Sequence, residues 1–333
     1  MNQTARTGSA LMLALVTIVL LSSLTASFLF RVHVESDLSA RHRFGAKARS
    51  LSRSGLDVAA WLLAIAPEAG NEPEEDMTEE TFIAARHLQR GIAVQRYTLE
   101  TGEGELRLDI RPESGRRNVN LLPDADWEIM LENAGVPEEH IDELLDQFRD
   151  WTDEDEATRL QGAEADDEYY EERELPVKNG PVDHLDELLN IKGFTRAILY
   201  GGTLEEYYEE PDISVSGIAP LLTVYGGNRI QVNAASREIL LSVSGLREGQ
   251  VDRLLEGRAG TDGIFGTEDD GYRSAADAIL AGGIAGGAEE LFTTEARGIF
   301  RVRSTAEVSG VSRTTEVILE LNGRDVFILT MKP

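Results

Sequence analysis

The residues in this chain best suited to chemistry are carboxylates. Asp150, Asp153 and Asp155, followed by Glu164, Asp166 and Asp167, place six acids within about 18 residues. Left unneutralised they repel one another and oppose a compact loop. A hard divalent cation with six to eight oxygen ligands removes that penalty, and closely spaced Asp and Glu in an irregular segment suit calcium better than magnesium, whose geometry is stricter. A solvated acidic surface loop explains the same composition equally well. A second acidic stretch, Thr261 to Gly271, sets Asp262, Asp269 and Asp270 among glycines that let carbonyls turn inward. It resembles calcium-loop chemistry but lacks the terminal Glu of the EF-hand spacing, and a Gly-Asp turn needs no metal.

Other chemistry is sparse. The five histidines, His33, His42, His87, His140 and His184, are scattered without metal-ligand or triad spacing, and there is no phosphate loop or nucleophile elbow. A carboxylate-pair hydrolase would need a pair set by three-dimensional spacing, for which abundance of acids is weak evidence. The expectation is a protein that is not an enzyme. The absence of cysteine excludes a disulfide framework, a thiolate nucleophile and sulfur-ligated metal. With 60 acidic against 32 basic residues and a formal charge of −28, the chain offers no electrostatic footprint for nucleic acid. Its 333 residues, 41% apolar, are enough for more than one compact unit.

The elements that must position these acids begin with an uncharged run from Ser9 to Phe30, long enough to cross a hydrocarbon core as a helix. The preceding segment, Met1 to Gly8, is polar, carries Arg6 and ends in Gly before the apolar run, whereas a secretory signal is cut after its apolar run. This resembles a prepilin leader, cut by a prepilin peptidase between Gly8 and Ser9; a plain signal anchor is the simpler alternative. Arg31, Arg41, Arg43, Lys47, Arg49 and Arg53 follow the span, and a strict positive-inside count would put that side in the cytoplasm. These cations are interleaved with Glu35 and Asp37 on what reads as a continuing helix, and the rest of the chain is strongly acidic.

Beyond the span, Phe44, Ala48, Leu51, Val58 and Leu62 recur at helical spacing, so one long helix is expected to end near Pro67. A loop at Glu68 to Glu75 and a helical stretch around Thr81 to Gly91 follow. Val94 to Glu100 and Glu105 to Arg111 read as a hairpin, and Ile299 to Val308, Thr314 to Leu321 and Val326 to Met331 as a terminal antiparallel meander. Between them, from about Arg117 to Arg297, the pattern shifts to short helices, acidic loops and Gly-rich connectors, a helical insertion in an α+β domain. Tyr207-Tyr208 and the apolar run Ile218 to Tyr225 suit either an exposed partner surface or core, the commoner place for such stretches.

Several signatures lie in or beside the insertion. They are Phe148-Arg-Asp-Trp-Thr-Asp-Glu-Asp, then Arg159, Gly162-Ala-Glu and Tyr169-Tyr170; Asn179 to Phe194; Ile230-Gln-Val-Asn-Ala-Ala-Ser-Arg-Glu-Ile-Leu; and Gly298-Ile-Phe300. With the anchor, they resemble the minor pseudopilin K (GspK) family of the type II secretion system over nearly the whole chain. Two residues more than the family pattern separate Gly162-Ala-Glu164 from the tyrosine pair, and Gly257 to Leu291 is enlarged.

The resemblance implies an α+β fold: a pilin-like long helix and small antiparallel sheet carrying a large inserted all-α domain of helix-hairpin-helix, SAM-like type. The expected division is a leader at 1–8, a transmembrane helix at 9–30, pilin-like parts at 31–116 and 298–333, and the insertion at 117–297. It implies structural calcium at the first acidic cluster, Asp150, Asp153, Asp155, Glu164, Asp166 and Asp167; at Asp262, Asp269 and Asp270 calcium rests on the loop chemistry alone. Implied partners are the I-, J- and H-type minor pseudopilins, the major pseudopilin, the prepilin peptidase and the bacterial inner membrane, with the C-terminal domain in the periplasm. Pilin-like subunits normally carry Glu at the fifth mature position to neutralise a neighbour's amine in an apolar bundle, where an unpaired charge is costly. Counting from Ser9, that position is Leu13, which implies a place at the filament tip. Val232 to Val251 also resembles a helix-hairpin-helix, so a membrane-anchored DNA receptor of a competence-like system is the alternative; its turn, Leu246-Arg-Glu-Gly, lacks the clustered cations that phosphate binding needs.

Overall fold

The computed structural model describes residues 4–70, 73, 75, 77–204, 210–285, 290–295, 298–323 and 325–332. Tyr207 and Tyr208 lie outside the described residues.

Helix α1 (Thr4–Ile65) runs unbroken for 62 residues, roughly 93 Å at 1.5 Å per residue. Its first part is long and apolar enough to cross a membrane, and Leu13, Ile18, Leu24 and Phe28 are all exposed along it. The helix gives way to a 3₁₀ turn, Ala66–Glu68, that contains Pro67, because proline disfavours helical geometry at the residue before it. Helix α2 (Glu79–Gln89) starts where Thr78 Oγ1 accepts the Thr81 N–H at 3.3 Å.

Strands β1 (Val94–Thr101) and β2 (Gly104–Pro112) come next in the chain. After them lie β3 (Arg117–Asn118), α3 (Asp124–Ala134), α4 (Glu138–Thr152), α5 (Glu168–Glu172), α6 (Arg196–Tyr200), β4 (Gly202–Leu204), β5 (Glu210–Val215), β6 (Leu222–Thr223) and β7 (Ile230–Gln231). Then come α7 (Arg237–Leu241), α8 (Glu248–Glu256), α9 (Ala275–Gly282), β8 (Phe292–Thr293), β9 (Gly298–Val308), β10 (Val311–Asn322) and β11 (Asp325–Lys332).

One sheet has the order β1-β2-β9-β10-β11. The N-terminal hairpin and the three terminal strands therefore belong together although some 185 residues separate β2 from β9, as expected for a pilin-like sheet with an insertion. Strand β9 buries alternate residues, Phe300, Val302, Ser304, Ala306 and Val308, the period-2 pattern of a half-buried strand. Its turn into β10 places Ser309 at φ 49° and Gly310 at φ 76°, the left-handed pair that a two-residue hairpin with native twist requires.

The chain divides into two compact units. The first comprises α1 through Gly55, Thr98–Arg107 and Ser304–Thr315; inside it, buried Ser52 and Thr315 hydroxyls hydrogen-bond at 2.9 Å. Two apolar clusters of the second are formed by described residues. Trp127, Phe148 and Phe194 centre one cluster, with Trp127 and Phe148 ring centroids 5.2 Å apart. Val232, Leu240, Val251, Leu254 and Phe292 centre the other. The helical lobe also carries short strand pairs: β3 and β7 run parallel to β6 and β8, and β4 antiparallel to β5. Such bridges give buried backbone groups partners where no helix supplies them.

Candidate metal centre

Helix α4 delivers the first acidic cluster. Its apolar face, with Leu144, Phe148 and Trp151, is buried in the aromatic cluster, which fixes the direction in which its last turn leaves. Asp150, one residue before Trp151, is 0% exposed, and Asp153 is the residue at which the helix stops. The chain then folds back over the helix end. Gln147 Nε2 donates to Gln161 O at 2.7 Å and Gln161 N–H to Asp146 Oδ2 at 3.0 Å. A Cβ on Gly162 would stand 1.9 Å from Asp150 Oδ2, so only glycine permits this return.

The carboxylates meet few donors. Arg159 gives its backbone N–H to Asp150 Oδ2 at 3.1 Å, places Nε 3.3 Å from Asp150 Oδ1, and pairs through Nη2 with Asp153 Oδ2 at 3.1 Å. Its side chain is 44% exposed, so water screens much of that charge. Glu164 is 3% exposed, and among the described residues neither of its carboxylate oxygens has a hydrogen-bond donor. Asp153 Oδ1, Asn179 Oδ1 and Gln147 Oε1 are buried acceptors in the same condition. Burial, reinforced by the charges of Asp150, Asp153, Asp155 and Glu156, pushes the Glu164 carboxyl up to about 7. Burial also raises Asp150, against the opposing Arg159 hydrogen bond.

Buried oxygen acceptors without donors are expensive, and a set composed of carboxylates and side-chain amide oxygens is the donor chemistry of a hard cation. The residues therefore fit calcium, which Asp150, Asp153, Asp155 and Glu164 would hold and which would supply the positive charge these acceptors lack. Among the described residues no group of three or more His, Asp or Glu side chains already stands in a coordination shell. Asp155 occupies itself in part by accepting the Ala157 N–H at 2.9 Å.

The other two acids of the run stand apart in their bonding. Asp167 caps α5, accepting the Tyr169 N–H at 2.8 Å, and pairs with Lys192 Nζ at 2.8 Å, which with that cap holds its carboxyl below the usual range despite burial. Asp166 is exposed. Asn179 was not foreseen as a contributor. It sits at φ 47° with Nδ2 3.3 Å from Asp155 O, and its only sequence signal is the Asn-Gly pair, which favours such a turn.

The second acidic loop satisfies itself more fully. Asp269 accepts the Thr261 N–H at 2.7 Å and the Thr261 and Thr267 hydroxyls at 2.6 and 2.9 Å, bonds that hold its carboxyl far below the usual range. Asp262 Oδ1 accepts the Ile264 N–H at 2.8 Å. Asp270 is buried, accepts the Gly266 N–H at 2.7 Å and faces His87 Nε2 at 3.5 Å, while its Oδ1 has no donor among the described residues. The helix-hairpin-helix segment is self-contained as well: Arg237, its best-placed cation, is paired with Asp252 and with Glu248.

A long apolar-headed helix, a five-stranded antiparallel sheet split by a helical lobe, and an acidic loop at the end of a buried helix define a pilin-like protein with a large insertion. Residues 114–200 match the family described as "Type II secretion system (T2SS), protein K", first domain. The fold matches a chain of the GspK-GspI-GspJ complex from the enterotoxigenic Escherichia coli type 2 secretion system, with a TM-score of 0.54 and 13% identity over 91% of this chain and 98% of that one. No curated protein sequence matches. The first match places a protein K domain within the insertion, and the second shows that the chain shares the fold of that complex's subunit.

Proposed function

We propose that this chain is a non-catalytic minor pseudopilin that caps the tip of the type II secretion pseudopilus and helps to start its assembly for protein export. The observation that carries the reading is the T2SS protein K segment, residues 114–200, set between the hairpin and the terminal strands of one pilin-like sheet. In this reading prepilin peptidase cuts between Gly8 and Ser9, α1 anchors the chain in the inner membrane, and the lobe faces the periplasm.

Leu13 gives the tip placement its physical reason. A subunit with no carboxylate there cannot neutralise the amine of a subunit above it, and at the tip it has none to serve. The I-, J- and H-type minor pseudopilins and the major pseudopilin are its partners below. Calcium at Asp150, Asp153, Asp155 and Glu164 stabilises the lobe.

The chain has no cysteine, so a single thiol can report its position. Leu160, 95% exposed, is a suitable site: Leu160→Cys, labelled with gold in intact pseudopili, is expected at filament ends alone. Label spread along the shaft would refute the tip placement.

A further inference from the structure

The six cations that follow the membrane span are not explained by anchoring. Part of the set converges with a residue from the far end of the sequence, all within the first compact unit. Arg41, Gly45 and Arg49 recur every fourth residue and so lie on one face of α1. The start of β10 brings Arg313 across that face, with Nη2 only 3.3 Å from where a Gly45 Cβ would stand. Glycine inside a helix costs about 1 kcal/mol relative to alanine, and here it gives the guanidinium room. The result is a groove of about 510 Å³ lined by Arg41, His42, Arg49, Ser312 and Arg313, with Leu38 at its edge.

No carboxylate lines this groove. Among the described residues none of Arg41, Arg49 and Arg313 forms an ion pair, whereas Arg149, Arg159, Arg237, Arg301 and Arg303 all do. In a chain with nearly twice as many acids as bases, three unpaired guanidiniums around one groove are an arrangement for a foreign anion. Guanidinium forks match carboxylates in two-pronged hydrogen bonds.

We infer that this groove receives carboxylate side chains of a neighbouring minor pseudopilin in the assembled tip, an inference that rests on the assembly reading above. A lipid headgroup fits less well. Arg41 lies 11 residues beyond Phe30, about 16 Å along an upright helix, whereas the headgroup layer adds only about 5–8 Å on each side of the hydrocarbon core. Exposed Val34 and Leu38 lead from the span to the groove, an apolar approach on which a neighbour's helix can lie before its acids reach the arginines.

The test uses the full-length chain in detergent, co-expressed with the I- and J-type minor pseudopilins of its own system. The wild-type chain is expected to retain them, less strongly as salt is raised toward roughly 0.15 M and beyond. The triple variant R41Q/R49Q/R313Q should retain them about tenfold more weakly at low salt with its salt response largely gone, while its melting temperature stays unchanged. Arg53→Gln, a neighbouring exposed cation outside the groove, should behave as wild type. Failure of the wild-type chain to retain either subunit would remove the assembly reading itself. Undiminished retention by the triple variant, an equal loss in Arg53→Gln, or binding to phosphatidylglycerol vesicles that alone disappears in the triple variant would overturn the groove assignment.

Discussion

Glu164 is the buried acid with both carboxylate oxygens lacking a donor among the described residues. Its carboxyl titrates at about 7 in the folded chain because it is buried among Asp150, Asp153, Asp155 and Glu156, against an ordinary value near 4.3 in the unfolded one. The folded state therefore binds the extra proton between these values. Without metal, the stability this proton provides is fully present below about pH 4.3 and is lost as pH rises through about 7, a change of roughly 4 kcal/mol. Calcium bound at the proposed site would displace the proton and act in the opposite sense, binding more tightly as pH rises through the same interval. In Glu164→Gln the metal-free chain should lose this pH slope and melt higher above neutrality, and its calcium affinity should fall at least tenfold with no residual pH dependence near 7. Urea melts and calorimetric titration across pH 5 to 8 read both. A metal-free wild type whose stability is flat over that range would show that Glu164 is not the buried, repelled acid described. The acids were visible in the sequence because their types and spacing are local. The roles of Asn179 and Gly162 were not, because each follows from a chain return that only the tertiary fold creates.

At the scale of elements, the long and periodic ones were legible: α1, α2, the β1–β2 hairpin and β9 to β11 carry their signal in many alternating residues. The bridges β3–β6 and β7–β8 were not, since two residues contain no period, and they exist only because distant segments are already packed. A buried ion pair helps to hold that packing. Arg117 of β3 donates through Nη2 to Asp126 Oδ2 of α3 at 2.6 Å, with both side chains at most 6% exposed. Asp126 Oδ1 also accepts the N–H of Ser244, between α7 and α8, at 2.7 Å. One carboxylate thus joins three elements, and its removal strands a buried guanidinium. Asp126→Ala should destabilise the chain by about 3–5 kcal/mol, whereas R117M/D126L, which removes both charges, should recover most of that loss. A single-variant loss below about 1 kcal/mol in chemical denaturation would show that the pair does not couple these elements.

For the whole molecule, the proposed calcium would set part of the stability, and screening must be told apart from it. A chain of net charge −28 repels itself, and raised salt relieves that repulsion for any ion by screening. A specific site behaves differently: an ion that binds only the folded state stabilises it by mass action, about 2.7 kcal/mol when present at a hundred times its dissociation constant. For a folded body of this size that corresponds to a rise of roughly 5–11 °C in melting temperature. The full-length chain in detergent should therefore melt lower after chelation and recover fully with calcium at constant ionic strength. Magnesium should restore far less, because it dehydrates reluctantly and demands near-ideal octahedral geometry, whereas these acceptors stand on a helix end and a returning loop. The same chelation should leave Asp269 and its loop little affected, since backbone and hydroxyl donors already occupy that carboxylate, so hydrogen exchange should quicken around 147–164 and not around 261–270. Equal rescue by any salt would reduce the acidic cluster to a screened surface. Exchange that quickens only in the second loop would move the ion from the Glu164 cluster to Asp270, whose Oδ1 has no donor among the described residues.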